Sequence, residues 1–151
     1  MKKRLFLLSA ALLLTLAACG GKGVSPFDPA SDSQTLLATP GVFGDSLEAV
    51  DQTTACALYG IDEETVTACA VYMANATSAE ELAIFTLSDE EAAQTAAKQL
   101  GYRVEDRVEE LTGYLPAEIP KLEKAVVETR GNSVLLLIAA DYDAAKPILE
   151  N

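Results

Sequence analysis

The sequence predicts an α+β domain: a four-stranded, mainly antiparallel sheet packed against one long helix, in the order α-ββ-α-ββ-α. Three observations carry that expectation. Ala97, Leu100, Val104, Val108, Leu111 and Leu115 recur at spacings of three and four, an apolar stripe along one helix. Residues 67–74 and 81–87 both contain recurrent β-branched and aromatic residues, and residues 75–78 (Asn-Ala-Thr-Ser) supply loop chemistry between them, as in an antiparallel hairpin. Residues 125–130 and 133–140 flank Gly131-Asn132, a two-residue hairpin signal. A helix laid on two hairpins buries the apolar side of each.

Ahead of that domain stands a segment of another kind. Lys2, Lys3 and Arg4 precede an apolar run over residues 5–16, and Gly20, Gly21 and Lys22 stop it. At 1.5 Å per residue such a run covers about 18 Å, short of a hydrocarbon core of about 30 Å. A basic start, a short apolar stretch and small residues before a cut site read as an export signal. Leu16-Ala17-Ala18-Cys19 resembles the lipobox of bacterial lipoproteins. That resemblance implies a diacylglycerol on the Cys19 thiol and cleavage just before it. Residues 1–18 are then the signal peptide, 19–35 the lipidated cysteine and a flexible tether, and 36–151 a single α+β domain. Two acyl chains hold a protein stably at a bilayer where one is marginal. The expected location is the extracytoplasmic face of the bacterial cell membrane, with the bilayer itself as first partner.

The chain has 11 basic and 23 acidic residues. The signal holds three of the cations and no acid, so its removal leaves a net charge of about −15, which repels anionic headgroups and nucleic acid. A nucleic-acid partner is therefore not expected. The acids are spread along the chain, as on a solvated surface. Besides Cys19 there are two cysteines, Cys56 and Cys69. In an extracytoplasmic setting they are a candidate disulfide, contributing about 3 kcal/mol on chain-entropy grounds. Two buried thiols are the other reading, since free cysteine is among the most buried residue types.

Along the chain, residues 20–34 are rich in Gly, Pro, Ser and Asp and read as the tether, on the order of 20 Å in reach. Phe43, Leu47 and Val50 follow helical spacing, with Asp45 or Ser46 as cap and the helix continuing toward a turn at Gly60-Ile61-Asp62. After the first hairpin, Ser88 and Glu91 form a capping box for the long helix. Gly101 interrupts that helix, where it would admit a close neighbour, and Gly113 and Pro116 end it. Residues 133–140 are apolar on both faces, as in a central strand covered on both sides. Asp141 caps a last short helix.

Chemistry is harder to locate. The chain has no histidine, the commonest general base near neutral pH. Nucleophile-elbow and phosphate-loop motifs do not occur. Glu105, Asp106, Glu109 and Glu110 form i,i+4 acid pairs. Such pairs are the ligand type for a hard cation such as calcium. Here they alternate with Arg103 and Arg107 at distances that relieve repulsion, as on a solvent face. Asp141-Tyr142-Asp143 has the look of a metal-binding triplet, but the cap role of Asp141 explains it as well, and the dense EF-hand pattern is absent. Glu81, at the head of a strand, either satisfies a loop or binds a ligand. No catalytic residue, metal site or cofactor is assigned.

Several words in order resemble a known family: Leu58-Tyr59-Gly60-Ile61-Asp62; Ala79-Glu80-Glu81-Leu82-Ala83-Ile84-Phe85; Tyr114-Leu115-Pro116 with Glu118; residues 122–127; and Arg130-Gly131-Asn132 followed by Val134-Leu135-Leu136. They span most of residues 36–149. The family is one of small Gram-positive lipoproteins, the domain of unknown function 4358 (DUF4358). The resemblance implies a membrane-anchored protein and brings no catalytic residue with it. The expectation is a non-enzymatic binding or accessory protein of the cell envelope, with an envelope protein as partner. The alternatives are a carboxylate-based envelope hydrolase, which would need two carboxylates about 5 to 9 Å apart in a cleft, and a small ligand-binding lipoprotein.

Overall fold

Residues 133–138 organise the molecule. In the computed structural model, which describes residues 24–150, they form β5 (Ser133–Ile138), and every one of them is buried. A strand that is apolar on both faces needs cover on both, so it belongs inside a sheet between two helical layers. β5 lies between β3 (Glu81–Leu87) and β4 (Val126–Arg130), antiparallel to each, with Phe85 opposite Val134 and Val127 opposite Leu136. β2 (Val66–Met73) pairs with the other edge of β3, and β1 (Glu48–Val50) pairs with β2. The sheet is five-stranded and antiparallel, in the order β1-β2-β3-β5-β4.

Both predicted hairpins are present, and the Gly131-Asn132 turn joins β4 to β5 as expected. The expected count of four strands is corrected to five. Residues 43–50 do not form a helix. Glu48, Ala49 and Val50 complete the free edge of β2 instead, opposite Met73, Tyr72 and Val71. A spacing of three between Leu47 and Val50 suits either element over so short a span, and the vacant edge of β2 decides it. The helix begins later, as α2 (Gln52–Tyr59). Its cap is Asp51, whose side chain accepts from the Thr54 amide, not Asp45 or Ser46. It ends on Gly60 in the left-handed region, φ 67°.

The expected single helix on the sheet is likewise corrected, because helices cover both faces. On one face α2 and α3 (Glu90–Thr112) pack over Ala83, Phe85, Leu87, Val134, Leu136 and Ile138. The stripe predicted for α3 faces inward, with Leu100 and Leu111 buried and Ala97, Val104 and Val108 packed beside them. Its cap is Asp89, which accepts from the Ala92 amide, one residue beyond the expected Ser88. Both side chains can cap; Asp89 has the extended backbone that the position needs. Gly101 has no close neighbour: a Cβ built there meets nothing within 4 Å. A 3₁₀ turn (Pro116–Glu118) and a single turn of helix, α4 (Ile119–Leu122), lead into β4.

The other face is covered by α1 (Pro29–Ala38) and α5 (Tyr142–Leu149), over Leu82, Ile84, Leu135 and Leu137. Asp141 caps α5 as predicted. α1 corrects the tether reading of residues 20–34 where the two overlap, over residues 29–34; residues 20–23 lie outside the described residues. Asp28 accepts from the Ser31 amide, and Pro29 occupies the first turn. Asp, Pro and Ser are loop residues for the same reasons that they start helices, and Leu36, fully buried, supplies the packing that selects the helix. Just before it, the Phe27 amide donates to Ser133 Oγ (2.7 Å). The Arg130 guanidinium stacks 4.1 Å from the Phe27 ring centroid. The predicted signal and Cys19 lie outside the described residues. Among the described residues no helix is long and apolar enough to cross a membrane.

Candidate functional site

Ala79-Glu80-Glu81-Leu82 leads into β3. Alternation along a strand sends neighbouring side chains to opposite faces. Both faces are covered here, so both glutamates are buried, at 2% and 1% exposure. A buried carboxylate has to be paired and hydrogen-bonded, and each of these has its own set of partners.

Glu81 points to the α2–α3 side. It accepts a hydrogen bond from the Tyr59 hydroxyl at 2.7 Å and from the Arg103 guanidinium at 3.3 and 3.5 Å. Burial pushes the Tyr59 phenol far above its ordinary range, and the Glu81 charge adds to the effect, so the hydroxyl stays a donor. The ring stands edge-on to Phe85, 5.9 Å between centroids. Of the two roles left open for Glu81 by the sequence, it fills the structural one, satisfying the groups around it. Arg103 is not on a solvent face, as its spacing among the acids of α3 suggested; it turns inward to Glu81. Arg107, one turn on, meets Glu110 at 3.1 Å as the spacing predicts and also reaches the Ser78 carbonyl.

Glu80 faces the other way. Its Oε2 accepts from the Gly44 and Asp45 amides at 2.9 and 3.0 Å, and its Oε1 from Lys121 Nζ at 2.8 Å. Lys121 Nζ also lies 2.9 Å from Glu118 Oε2, which in turn accepts from the Ala79 amide at 2.8 Å. Desolvation works against the charges of both Glu118 and Lys121. For Glu118 the Ala79 amide, Lys121 and Ser78 outweigh it and hold the carboxyl below the usual range. For Lys121 the two carboxylates outweigh it and hold the ammonium above its usual range. The Tyr142 hydroxyl donates to the Lys121 carbonyl at 2.8 Å, which fixes α4 against α5.

The Ala79 amide and Lys121 favour the charged form of Glu118. A general acid needs the opposite, a raised carboxyl pKa. The Glu80–Lys121–Glu118 cluster therefore acts as a tie between the loop at 44–45, the head of β3 and α4.

Above Glu81 the surface opens into a groove between α2 and α3. One hollow of about 350 Å³ runs from Thr65 and Asp89 past Ile61 and Asp62 to Gly60 and Gln99. A second, of about 310 Å³, begins at Gly60 and Gln99 and continues past Leu58, Tyr102 and Arg103 to Asp106 and Glu110. Tyr59 and Arg103 belong to its floor, and Glu81 beneath holds both in place. At Gly60 the left-handed backbone disfavours any side chain with a Cβ. Leu58 and Tyr102 are exposed on the rims, at 41% and 56%.

The acids 105, 106, 109 and 110 remain at the surface, and Asp106, Glu109 and Glu110 line a shallow hollow. Among the described residues no three His, Cys, Asp or Glu side chains are placed to hold a metal ion. Cys56 is buried on α2, and Cys69 is half-buried on β2 in the same apolar cluster. Both are thiols here, with Cys69 Sγ 3.8 Å from Gln52 Oε1, and burial raises both above the ordinary thiol range.

Sequence reasoning singled out Glu81 and passed over Glu80, Glu118 and Lys121. A signal was available. Two consecutive acids entering a strand whose other residues are nearly all apolar must face two buried sides, and each then requires a cation. Which cations answer is a matter of tertiary neighbours, 22 and 41 positions away in sequence.

No curated protein and no solved structure matches the chain. A family model, described as Domain of unknown function (DUF4358), matches residues 43–139. The match takes in all five strands, both glutamates, Lys121 and the groove, and leaves α1 and α5 as flanking cover. It spans well over half of the chain, and the protein belongs to the DUF4358 family.

Proposed function

We propose that the protein is a membrane-anchored extracytoplasmic lipoprotein, held by acylated Cys19, that serves as a non-enzymatic binding or accessory protein of the cell envelope. The observation that carries the binding part is the division of roles around Glu81. Glu81 is spent on fixed partners, and what it holds in place is the floor of an open groove. Such a floor with exposed side chains at its rims suits recognition. The attachment part rests on the lipobox-like tetrad ending in Cys19.

One experiment addresses both parts. The full-length chain is expressed in a Gram-positive host, crosslinked in intact cells and recovered from the membrane fraction, beside a Cys19→Ala variant. The wild type is expected in the membrane fraction with one dominant envelope partner. Cys19→Ala is expected to leave that fraction and to lose the partner. Normal membrane retention and processing of Cys19→Ala would overturn the anchor, and recovery of no partner by the wild type would overturn the binding role.

A further inference from the structure

We infer that the α2–α3 groove receives a basic segment of a partner protein, one that presents large apolar side chains between lysines or arginines. The inference rests on the binding role proposed above and names the chemistry of the partner.

Three observations select it. First, the two hollows lie end to end on either side of Gly60 and Gln99, whose side chain lies against Gly60, an elongated surface suited to an extended segment rather than to a compact small molecule. Second, the groove is acidic, with Asp62 and Asp89 also accepting the Glu64 and Ala92 amides as caps and Glu110 paired to Arg107. Asp62, Asp89, Glu91 and Asp106 line it, and among the described residues none of the four is in an ion pair. The guanidinium at the floor, Arg103, is already committed to Glu81. Third, among the described residues Leu58 and Tyr102 are two of the few large apolar side chains left exposed, and both stand at the same hollow. Aromatic and aliphatic anchors ringed by charge are the usual composition of a recognition patch. Carboxylates along such a patch favour a cationic partner and disfavour anionic ones, including nucleic acid and acidic headgroups.

The test uses the full-length chain in nonionic detergent and three probes: a short synthetic peptide of alternating lysine and leucine, its glutamate–leucine counterpart, and spermine. Binding is read by calorimetry. The lysine–leucine peptide is expected to bind, more weakly as salt rises, and the glutamate–leucine peptide is expected not to. The double substitution Asp62→Asn with Asp106→Asn is expected to weaken binding about fivefold, as two exposed charge pairs in the middle of their usual strength would. Leu58→Ser with Tyr102→Ser is expected to weaken it about tenfold or more, as loss of two anchors would. The exposed Leu37→Ser on α1 serves as a remote control and should change nothing. Equal binding of the two peptides, or no effect of either groove variant, overturns the inference. Spermine binding as tightly as the peptide, with Leu58 and Tyr102 irrelevant, also overturns it, since the surface would then be reading charge alone. These outcomes are independent of the crosslinking result. A partner recovered equally by wild type and by both groove variants would leave the binding role standing and place it elsewhere.

Discussion

Lys121 Nζ lies 2.8 Å from Glu80 and 2.9 Å from Glu118, and Glu80 has no exposed side-chain surface at all. Replacing Lys121 by Met keeps the length of the side chain and removes the charge. Glu80 then retains only the Gly44 and Asp45 amides. Breaking a buried pair from one side costs about 3 kcal/mol at the lower end of its usual range, and the two remaining amide donors place Lys121→Met at that end. Urea unfolding should show a lowered midpoint with an unchanged slope. Adding Glu80→Gln should recover part of the loss, because the uncompensated charge is then gone, and strictly additive losses would show that the two side chains are not coupled. Glu118 contributes to the acid side of the pH dependence. Its folded carboxyl titrates below the ordinary range, so its stabilising contribution is complete above the unfolded value of about 4.3. That contribution is lost as pH falls through the folded value. Lys121 has the opposite sign. Its ammonium is held above the ordinary range, so its contribution is complete below about 10.4 and is lost as pH rises beyond that. Thermal unfolding scanned across pH should therefore show a plateau from about 4.3 to about 8.5, above which the raised Cys56 and Cys69 thiols begin an alkaline fall that Tyr59 and Lys121 extend, and Glu118→Gln should flatten the acid limb.

At the scale of elements, α3 is the clearest case of agreement between pattern and packing. Its 23 residues carry the inward stripe that periodicity predicts, and Asp89 and Gly113 bound it. Gly101 is the exception within it. A Cβ there meets nothing within 4 Å, so the glycine serves no close approach and only weakens the helix. Gly101→Ala should raise stability by about 0.5 to 1 kcal/mol, seen as a higher melting temperature. A fall would mean that the local backbone needs glycine for a reason other than space. β1 and α1 show the limits of local pattern. Three residues are too few to display a period, and β1 exists because β2 offers it an edge. α1 has only Pro29, Ser33 and Leu36 buried, a face too slight to stand out from a Pro/Ser/Asp-rich background until the second face of the sheet supplies its partner.

For the molecule as a whole, two helical layers enclose a sheet in which two of the three inner strands, β3 and β5, are almost wholly apolar. Acidic side chains enter the interior at the head of β3, and their pairings join segments far apart in sequence: α2, β3 and α3 through Glu81; the loop at 44–45, β3 and α4 through Glu80. A buried network of this kind contributes less to net stability than equivalent apolar packing would, because both charges lose their hydration. What it does is hold specific segments in register. Here the register it holds includes the floor of the α2–α3 groove, so the site and the fold share the same side chains.

The hairpins, the long helix, the central position of residues 133–138 and the cap at Asp141 were all legible in the sequence, because each depends on spacing, turn chemistry or capping within a few residues. The proposed signal and lipidation at Cys19 rest on the same kind of local reading and lie outside the described residues. The fifth strand, the second helical layer, the inward turn of Arg103 and the partners of Glu80 and Glu81 were decided only by the tertiary structure. Each depends on what lies across the sheet or at the far end of the chain: a free strand edge, an uncovered face, a cation within reach of a desolvated carboxylate. Local sequence states that a buried acid must be paired. Only the folded neighbourhood selects Lys121 for Glu80 and Arg103 with Tyr59 for Glu81, because desolvation and proximity are properties of the packed whole.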